Sequence, residues 1–177
     1  MAYVKQRLQE VDEECLWPWH FPEVAATEEQ LRSVETYLGH DLDVRYRLFL
    51  MHANGWQSFY HDVDLFGTED LLGNLKMSRA CKLLDAIGDI PGKDYTLFRR
   101  EVLPIAVSEN DIDLFVIVLP PSPLAGTILW LAGYEVDRFP NFDEYFLAMV
   151  DYNREEIQDL VRENCNPSDR NDEATRN

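Results

Sequence analysis

Between Thr27 and Gly55 the chain carries two helix starts and two helix stops in quick succession, and this punctuation constrains the fold more than any other stretch. Thr27 and Gln30 stand at the spacing of a capping box, in which each side chain satisfies the other residue's free backbone N–H. Glu28 and Glu29 follow, where the positive end of a helix favours carboxylates. Leu31, Val34 and Leu38 make one apolar stripe, and Gly39 is a natural stop. Asp43 suits a second N-cap, with Tyr46, Phe49 and Leu50 facing inward. Asn54-Gly55 tolerates the positive φ that ends a helix. Two helices separated by about four residues fold back on each other as a hairpin.

The flanks read more simply. Residues 5–14 form a short helix that stops at the proline-bearing stretch Trp17-Pro18-Trp19-His20-Phe21-Pro22. After the hairpin, Phe59, Val63 and Leu65 fit short strands around His61-Asp62. Thr68 caps a helix running through Leu71, Leu72 and Leu75 to Ile87, with Gly73 as its weak point. A loop is expected over 88–93. Val102 to Val107 is a strand in which Pro104 points to an edge or a strand start. Ser108 to Asp111 is a turn, 113–119 a buried strand, 120–123 a stiff proline loop, and 127–131 a further strand. Asn141 and Glu144 open a long helix with Phe142, Tyr145, Phe146, Met149 and Val150 inward, continued by Ile157, Leu160 and Val161. The polar residues 166–177 read as a disordered tail. This order predicts an α+β single domain with an N-terminal helical hairpin, a central mainly antiparallel sheet and a long closing helix. Its expected divisions are an arm at 1–26, the domain at 27–165 and the tail.

Composition narrows the function. With 177 residues and 46% apolar side chains, the chain can build a core without disulfides or metal. Its 33 acidic against 16 basic residues give a net charge of −17, which repels nucleic acid and anionic lipid and admits a basic partner. The charged first residues lack a signal-peptide core, and no apolar run reaches membrane-spanning length. Cys15, Cys81 and Cys165 are scattered, as in a reducing compartment. The expected location is the cytoplasm.

Catalytic signals are sparse. His20, His40, His52 and His61 show no metal-ligand spacing, and neither a GxSxG elbow nor a phosphate-cradling glycine motif occurs. Asp62/Asp64 and Asp111/Asp113 have the chemistry to hold a cation or share a proton, but turn and strand roles account for them first. The acidic run 10–14 is a solvated face. Trp17, Trp19 and Phe21 read as a cap over the core ahead of a ligand slot. No catalytic, metal or cofactor-binding residue is assigned.

One ordered set of residues is more specific. Thr27-Glu28-Glu29-Gln30-Leu31, Glu35, Leu38-Gly39, Leu42, Tyr46, Phe49-Leu50 and Asn54-Gly55 resemble the opening of the SUKH superfamily, the Smi/Knr-type domain. Val102-Leu103-Pro104-Ile105-Ala106 and Asn141 to Leu147 resemble its later strand and closing helix. The family's Leu-Pro pair is replaced by Leu42-Asp43; proline and aspartate both start helices. The resemblance implies a non-enzymatic binding domain, in bacteria commonly an immunity protein that neutralises a polymorphic toxin, with a regulatory scaffold binding signalling or cell-wall proteins as the alternative. Scaffolds in this family carry long extensions, and the short tail here favours immunity. The expected partner is a basic toxin domain encoded nearby, met by a monomer without nucleic acid, membrane or cofactor. Contact is expected on the acidic loops at Asp62, Asp64, Glu69, Asp70, Asp111 and Asp113, with Trp56 and Tyr60 as aromatic anchors.

The cap assignment is testable. Asp43→Ala should cost about 0.5–2 kcal/mol in chemical denaturation and Asp43→Pro less than about 1 kcal/mol. A neutral alanine would move the helix boundary.

Overall fold

The computed structural model describes residues 1–16, 18–91 and 95–165. Trp17, the end of the expected 88–93 loop and the tail 166–177 lie outside them, as does the Cys165 side chain. The chain opens with α1 (Ala2–Val11), which starts earlier than the expected 5–14 helix. The capping box then forms: Thr27 Oγ1 accepts from Gln30 N–H at 3.2 Å, and Gln30 Oε1 accepts from Thr27 N–H at 2.8 Å. It starts α2 (Glu28–Leu38), which ends at Gly39 with φ 76°. Asp43 Oδ1 accepts from the N–H of Arg45 and Tyr46 at 2.9 and 3.1 Å and starts α3 (Val44–Leu50). Glu35 ties the two helices, accepting from Arg47 Nε at 3.0 Å. Tyr46 and Leu50 are fully buried, and the Tyr46 hydroxyl donates to Phe66 O at 2.8 Å. Phe49 departs from the expected pattern. It is half-buried, because its ring lies between Tyr46 and the closing helix, at the rim of the core.

Asn54-Gly55 also has a different task from the expected one. The helix has already ended at Leu50, and Met51 caps it. Asn54 Oδ1 accepts from Thr68 N–H at 2.8 Å, and Asn54 Nδ2 donates to Thr68 Oγ1 at 2.9 Å. Gly55, at φ 95°, passes so close to this segment that a Cβ would stand 2.7 Å from Gly67 N. The pair is therefore a clasp between the hairpin and the sheet.

From there the chain runs through β1 (Trp56–Tyr60), β2 (Val63–Leu65), α4 (Thr68–Leu71), α5 (Leu75–Ile87), β3 (Ile90–Pro91), β4 (Thr96–Leu97), β5 (Val102–Ser108), β6 (Leu114–Val118), β7 (Ile128–Leu131), β8 (Glu135–Phe139) and α6 (Phe142–Cys165). The expected 68–87 helix is two helices. Gly73 turns the chain at φ 99°, and Asn74 Oδ1 caps α5 by accepting from Lys76 and Met77 N–H. The strands β3, inside the expected loop, β4 and β8 were not anticipated; the first two are too short to show alternation.

Among the described residues β1-β2-β5-β6-β7-β8 form one antiparallel sheet in that order. Every residue of β5 and β6 is buried, because helices cover both faces. Tyr145 of α6 packs on Phe59, Phe115 and Phe139, and α5 lies against β5 and β6. Alternation sends Asp64 to the face opposite Val63 and Leu65, where Lys76 of α5 meets it at 2.8 Å. Pro104 is thus on a central strand and not at an edge. It is tolerated because β2 pairs with β5 only at Ala106, Val107 and Ser108, and the register toward β6 shifts between Pro104 and Ala106. No described helix is long and apolar enough to cross a membrane.

The second half of α6 packs on α1 through Leu8, Val11, Ile157 and Leu160, a cluster separate from the main core. Lys5 of α1 is 1% exposed, and its ammonium donates to Asn153 Oδ1 at 3.5 Å. Burial lowers its pKa from 10.5 to about 8. The folded state therefore penalises the ammonium by about 3 kcal/mol at neutral pH. The penalty is full below pH 8 and fades as pH rises from 8 to 10.5, where the unfolded chain also loses the proton. Lys5→Met should raise stability at pH 7 by about 1–3 kcal/mol. Denaturation at a series of pH values should show the difference from the parent closing across that window.

Candidate protein-binding face

Three turns meet at one end of the sheet: His61-Asp62 after β1, 109–113 after β5, and 132–134 after β7. Asp62 organises the first two. Its Oδ2 accepts from Ser108 Oγ at 2.9 Å and Asn110 N–H at 2.8 Å, and Ser108 Oγ accepts from Asp111 N–H at 2.6 Å. Arg79 of α5 holds the same turn from beneath, donating to the carbonyls of Ser108 at 2.7 Å and Asp111 at 2.6 Å. Arg79 thus braces the backbone of the turn that carries Asp111.

Behind the turns lies an aromatic group. Trp130 stacks on Phe115 at 5.2 Å, and its Nε1–H donates to Asp113 Oδ1 at 2.6 Å. Tyr60 and Tyr152 approach Trp130 to 6.0 and 6.1 Å between ring centroids. Tyr60 and Trp130 sit four strand steps apart, about 19 Å in a flat sheet. The sheet must coil strongly for these long side chains to converge on its α6 face. His61 takes φ 49° and stacks on Tyr60 at 4.0 Å, with Nε2 3.4 Å from Glu156 Oε2.

The electrostatics record how many carboxylates gather here. Burial pushes Asp113 above the usual carboxylate range, and the charges of Asp111 and Asp62 push the same way, against the Trp130 bond. Tyr60 rises to about 12 through burial first and then through Glu156, Asp113 and Glu155. Tyr152 also rises, through burial and the charge of Asp137, whose Oδ2 accepts from its hydroxyl at 3.2 Å. His61 is lowered because burial outweighs Glu156. Ile112 and Tyr134 add apolar surface at the same end, 50% and 70% exposed.

Of the residues singled out in the sequence, Tyr60, Asp62, Asp111 and Asp113 come together at this face. Asp64 sits on the other face of the sheet, 8% exposed, accepting from the bulged Ser58 N–H at 2.8 Å and paired with Lys76. Trp56 is 5% exposed and donates to His20 O at 2.9 Å. Glu69 and Asp70 lie on α4, beyond the far end of β2, where Asp70 accepts from Gly67 N–H and Asn74 Nδ2. The motif residues Glu35, Leu38, Gly39, Tyr46, Leu50, Asn54 and Gly55 build the hairpin and its clasp. Trp130, Asp137, Tyr152, Glu155 and Glu156 belong to the face without having been singled out. The spacing of Tyr152, Glu155 and Glu156 on one helix face was the available signal.

Elsewhere, Leu48, Phe49, Phe146 and Leu147 line an apolar groove of about 360 Å³ between α3 and α6, bridged by Arg45 and Asp143 at 2.8 Å. No three His, Cys, Asp or Glu side chains among the described residues are placed to hold a metal ion.

A capped helical hairpin clasped to a coiled antiparallel sheet, closed by one long helix, defines a mixed α+β domain. The chain belongs to the SMI1/KNR4 family (SUKH-1), whose family model matches residues 25–148. Domains of this family are generally immunity or binding modules and not catalysts. A search of curated proteins finds no match. The helix α1, and Tyr152, Glu155 and Glu156 of α6, fall outside the matched residues.

The two classes of aspartate should separate experimentally. Asp64→Lys should cost about 3–5 kcal/mol, since it leaves a buried cation unpaired. Asp111→Lys should cost no more than about 1 kcal/mol, since its exposed carboxylate loses one hydrogen bond, from Ile112 N–H at 2.8 Å. Urea denaturation of both variants measures this.

Proposed function

We propose that this chain is an immunity protein that binds a cationic toxin domain, such as a nuclease, and covers its active site with the acidic end of the sheet. The observation that carries the reading is the convergence of Asp62, Asp111, Asp113, Asp137, Glu155 and Glu156 around a partly exposed aromatic group. A nuclease gathers Lys and Arg to hold phosphates, so this face complements it and steers encounter. Exposed apolar Ile112 and Tyr134 supply the contact that a charged rim alone would lack. Family membership supports the same class of function.

The test uses the toxin encoded beside this chain. Co-expression should protect cells from it, and the two proteins should form a 1:1 complex. Association should slow about tenfold between low and physiological salt, because exposed charges are screened beyond about 8 Å at 0.15 M. Dissociation should change less than about twofold. Asp111→Lys with Glu155→Lys should slow association further. A salt-independent association rate, unmoved by these reversals, would overturn the electrostatic mechanism; protein that neither binds nor protects would overturn the function.

A further inference from the structure

Helix α1 is held on differently from the rest of the domain. Its Leu8 and Val11 meet Ile157 and Leu160 of α6 in a cluster that does not join the main core. Asn164 Nδ2 donates to Val11 O at 3.0 Å, and Lys5 Nζ reaches Asn153 Oδ1 at 3.5 Å. Every one of these holds is on α6, the element on which α1 packs most. After α1 the chain turns at Asp12, whose carbonyl accepts from Cys15 N–H at 3.2 Å, and Cys15 takes φ 53°. From His20 onward the chain is fixed to the domain again. His20 O accepts from Trp56 Nε1–H at 2.9 Å, Glu23 N–H donates to Gly55 O at 3.1 Å and Ala26 N–H to Leu50 O at 2.8 Å.

We propose that α1 is a strap that swings off α6 about the turn at Asp12 to Cys15 while the rest of the domain stays folded, and that buried Lys5 sets how often it opens. The strap depends on packing alone and takes nothing from the immunity reading.

Closure has little to hold it and one large cost. The Lys5 ammonium gives up water for a long hydrogen bond to a neutral amide, and among the described residues no carboxylate pairs with it. Opening returns that charge to water and offsets much of what the small apolar cluster contributes. Opening also frees Cys15 from a left-handed backbone that is strained for any residue but glycine. The helix itself is weak. Thr27, Asp43 and Asn74 cap α2, α3 and α5, whereas α1 has no side-chain cap and no acidic residue in its first turn. An isolated helix needs roughly 12–15 residues to persist in water. With 10 residues, α1 unwinds once it leaves α6. Leu160 lies one turn beyond Glu156 of the acidic face, so opening adds an apolar stripe and an amine beside that face.

Hydrogen exchange followed by NMR on the full chain, at pH 7 and in rising sub-denaturing urea, tests the strap. After correction for intrinsic rates, the hydrogen-bonded amides of α1 should exchange at least about 100-fold faster than those of β5 and β6. Urea should scarcely change the α1 rates, because undocking exposes little surface, and should steeply raise those of β5 and β6, which only global unfolding frees. Lys5→Met should slow α1 exchange at least about tenfold, since it removes the buried charge. Lys5→Arg keeps a cation there and should leave α1 exchange as fast as in the parent or faster. Amides of α1 that exchange in step with β5 and β6 at every urea concentration would overturn the strap. An unchanged α1 rate in Lys5→Met, or slowing by Lys5→Arg equal to that by Lys5→Met, would overturn the part given to the buried charge.

Discussion

Strands β5 and β6 bury every side chain they carry, although antiparallel strands commonly show one face to water. Burial on both sides demands two layers of cover, and the remaining elements are arranged to supply it. The closing helix α6 brings Tyr145 down onto Phe59, Phe115 and Phe139, while α5 covers the reverse face. The hairpin of α2 and α3 is then held by Tyr46, whose hydroxyl reaches Phe66 O, and by the Asn54-Gly55 clasp on Thr68 and Gly67. A side chain at position 55 would separate the hairpin from the sheet, which is why glycine stands there.

The coil of the sheet creates the acidic end. Curvature draws the aromatic residues of distant strands together on the concave face and leaves the turns as a ring of carboxylates around them. Arg79 works from the opposite face, bracing the 108–111 turn through its carbonyls. This arrangement holds in place the backbone that carries the carboxylates. The local charge is therefore a product of how the strands close, over and above an acidic composition.

Part of this end lies outside the span shared with the family. The helix α1 and the extension of α6 pack on each other through their own small cluster, and the extension contributes Tyr152, Glu155 and Glu156. Lys5 is buried between them with a long bond to Asn153, a costly way to place an amine. The extension enlarges the acidic face beyond the residues matched by the family model.

The caps at Thr27 and Asp43 and the stop at Gly39 make the hairpin legible in the sequence, because they act over three or four residues and need no tertiary partner, whereas Asn54-Gly55 reads as a stop and is a tertiary clasp. The apolar runs 102–107 and 113–119 were legible as strands for a similar reason, and the period of Phe142 to Val161 as one helix. Aspartates 62, 64, 111 and 113 looked equivalent in the sequence, and the fold divided them. Alternation turned Asp64 inward to Lys76, while turn geometry kept Asp62 and Asp111 at the acidic end. Phe49 and Trp56 likewise exchanged their expected environments, since burial depends on which neighbours arrive from far along the chain. Trp130, Tyr152 and Asp137 meet only through sheet coiling and helix docking, a cumulative effect of many weak contacts that no local pattern encodes. The sequence by itself determined the capped hairpin, the strand and helix types and the excess of negative charge; where that charge gathers was decided by tertiary structure, because the curvature that brings Tyr60 to Trp130 exists only once both faces of the sheet are covered.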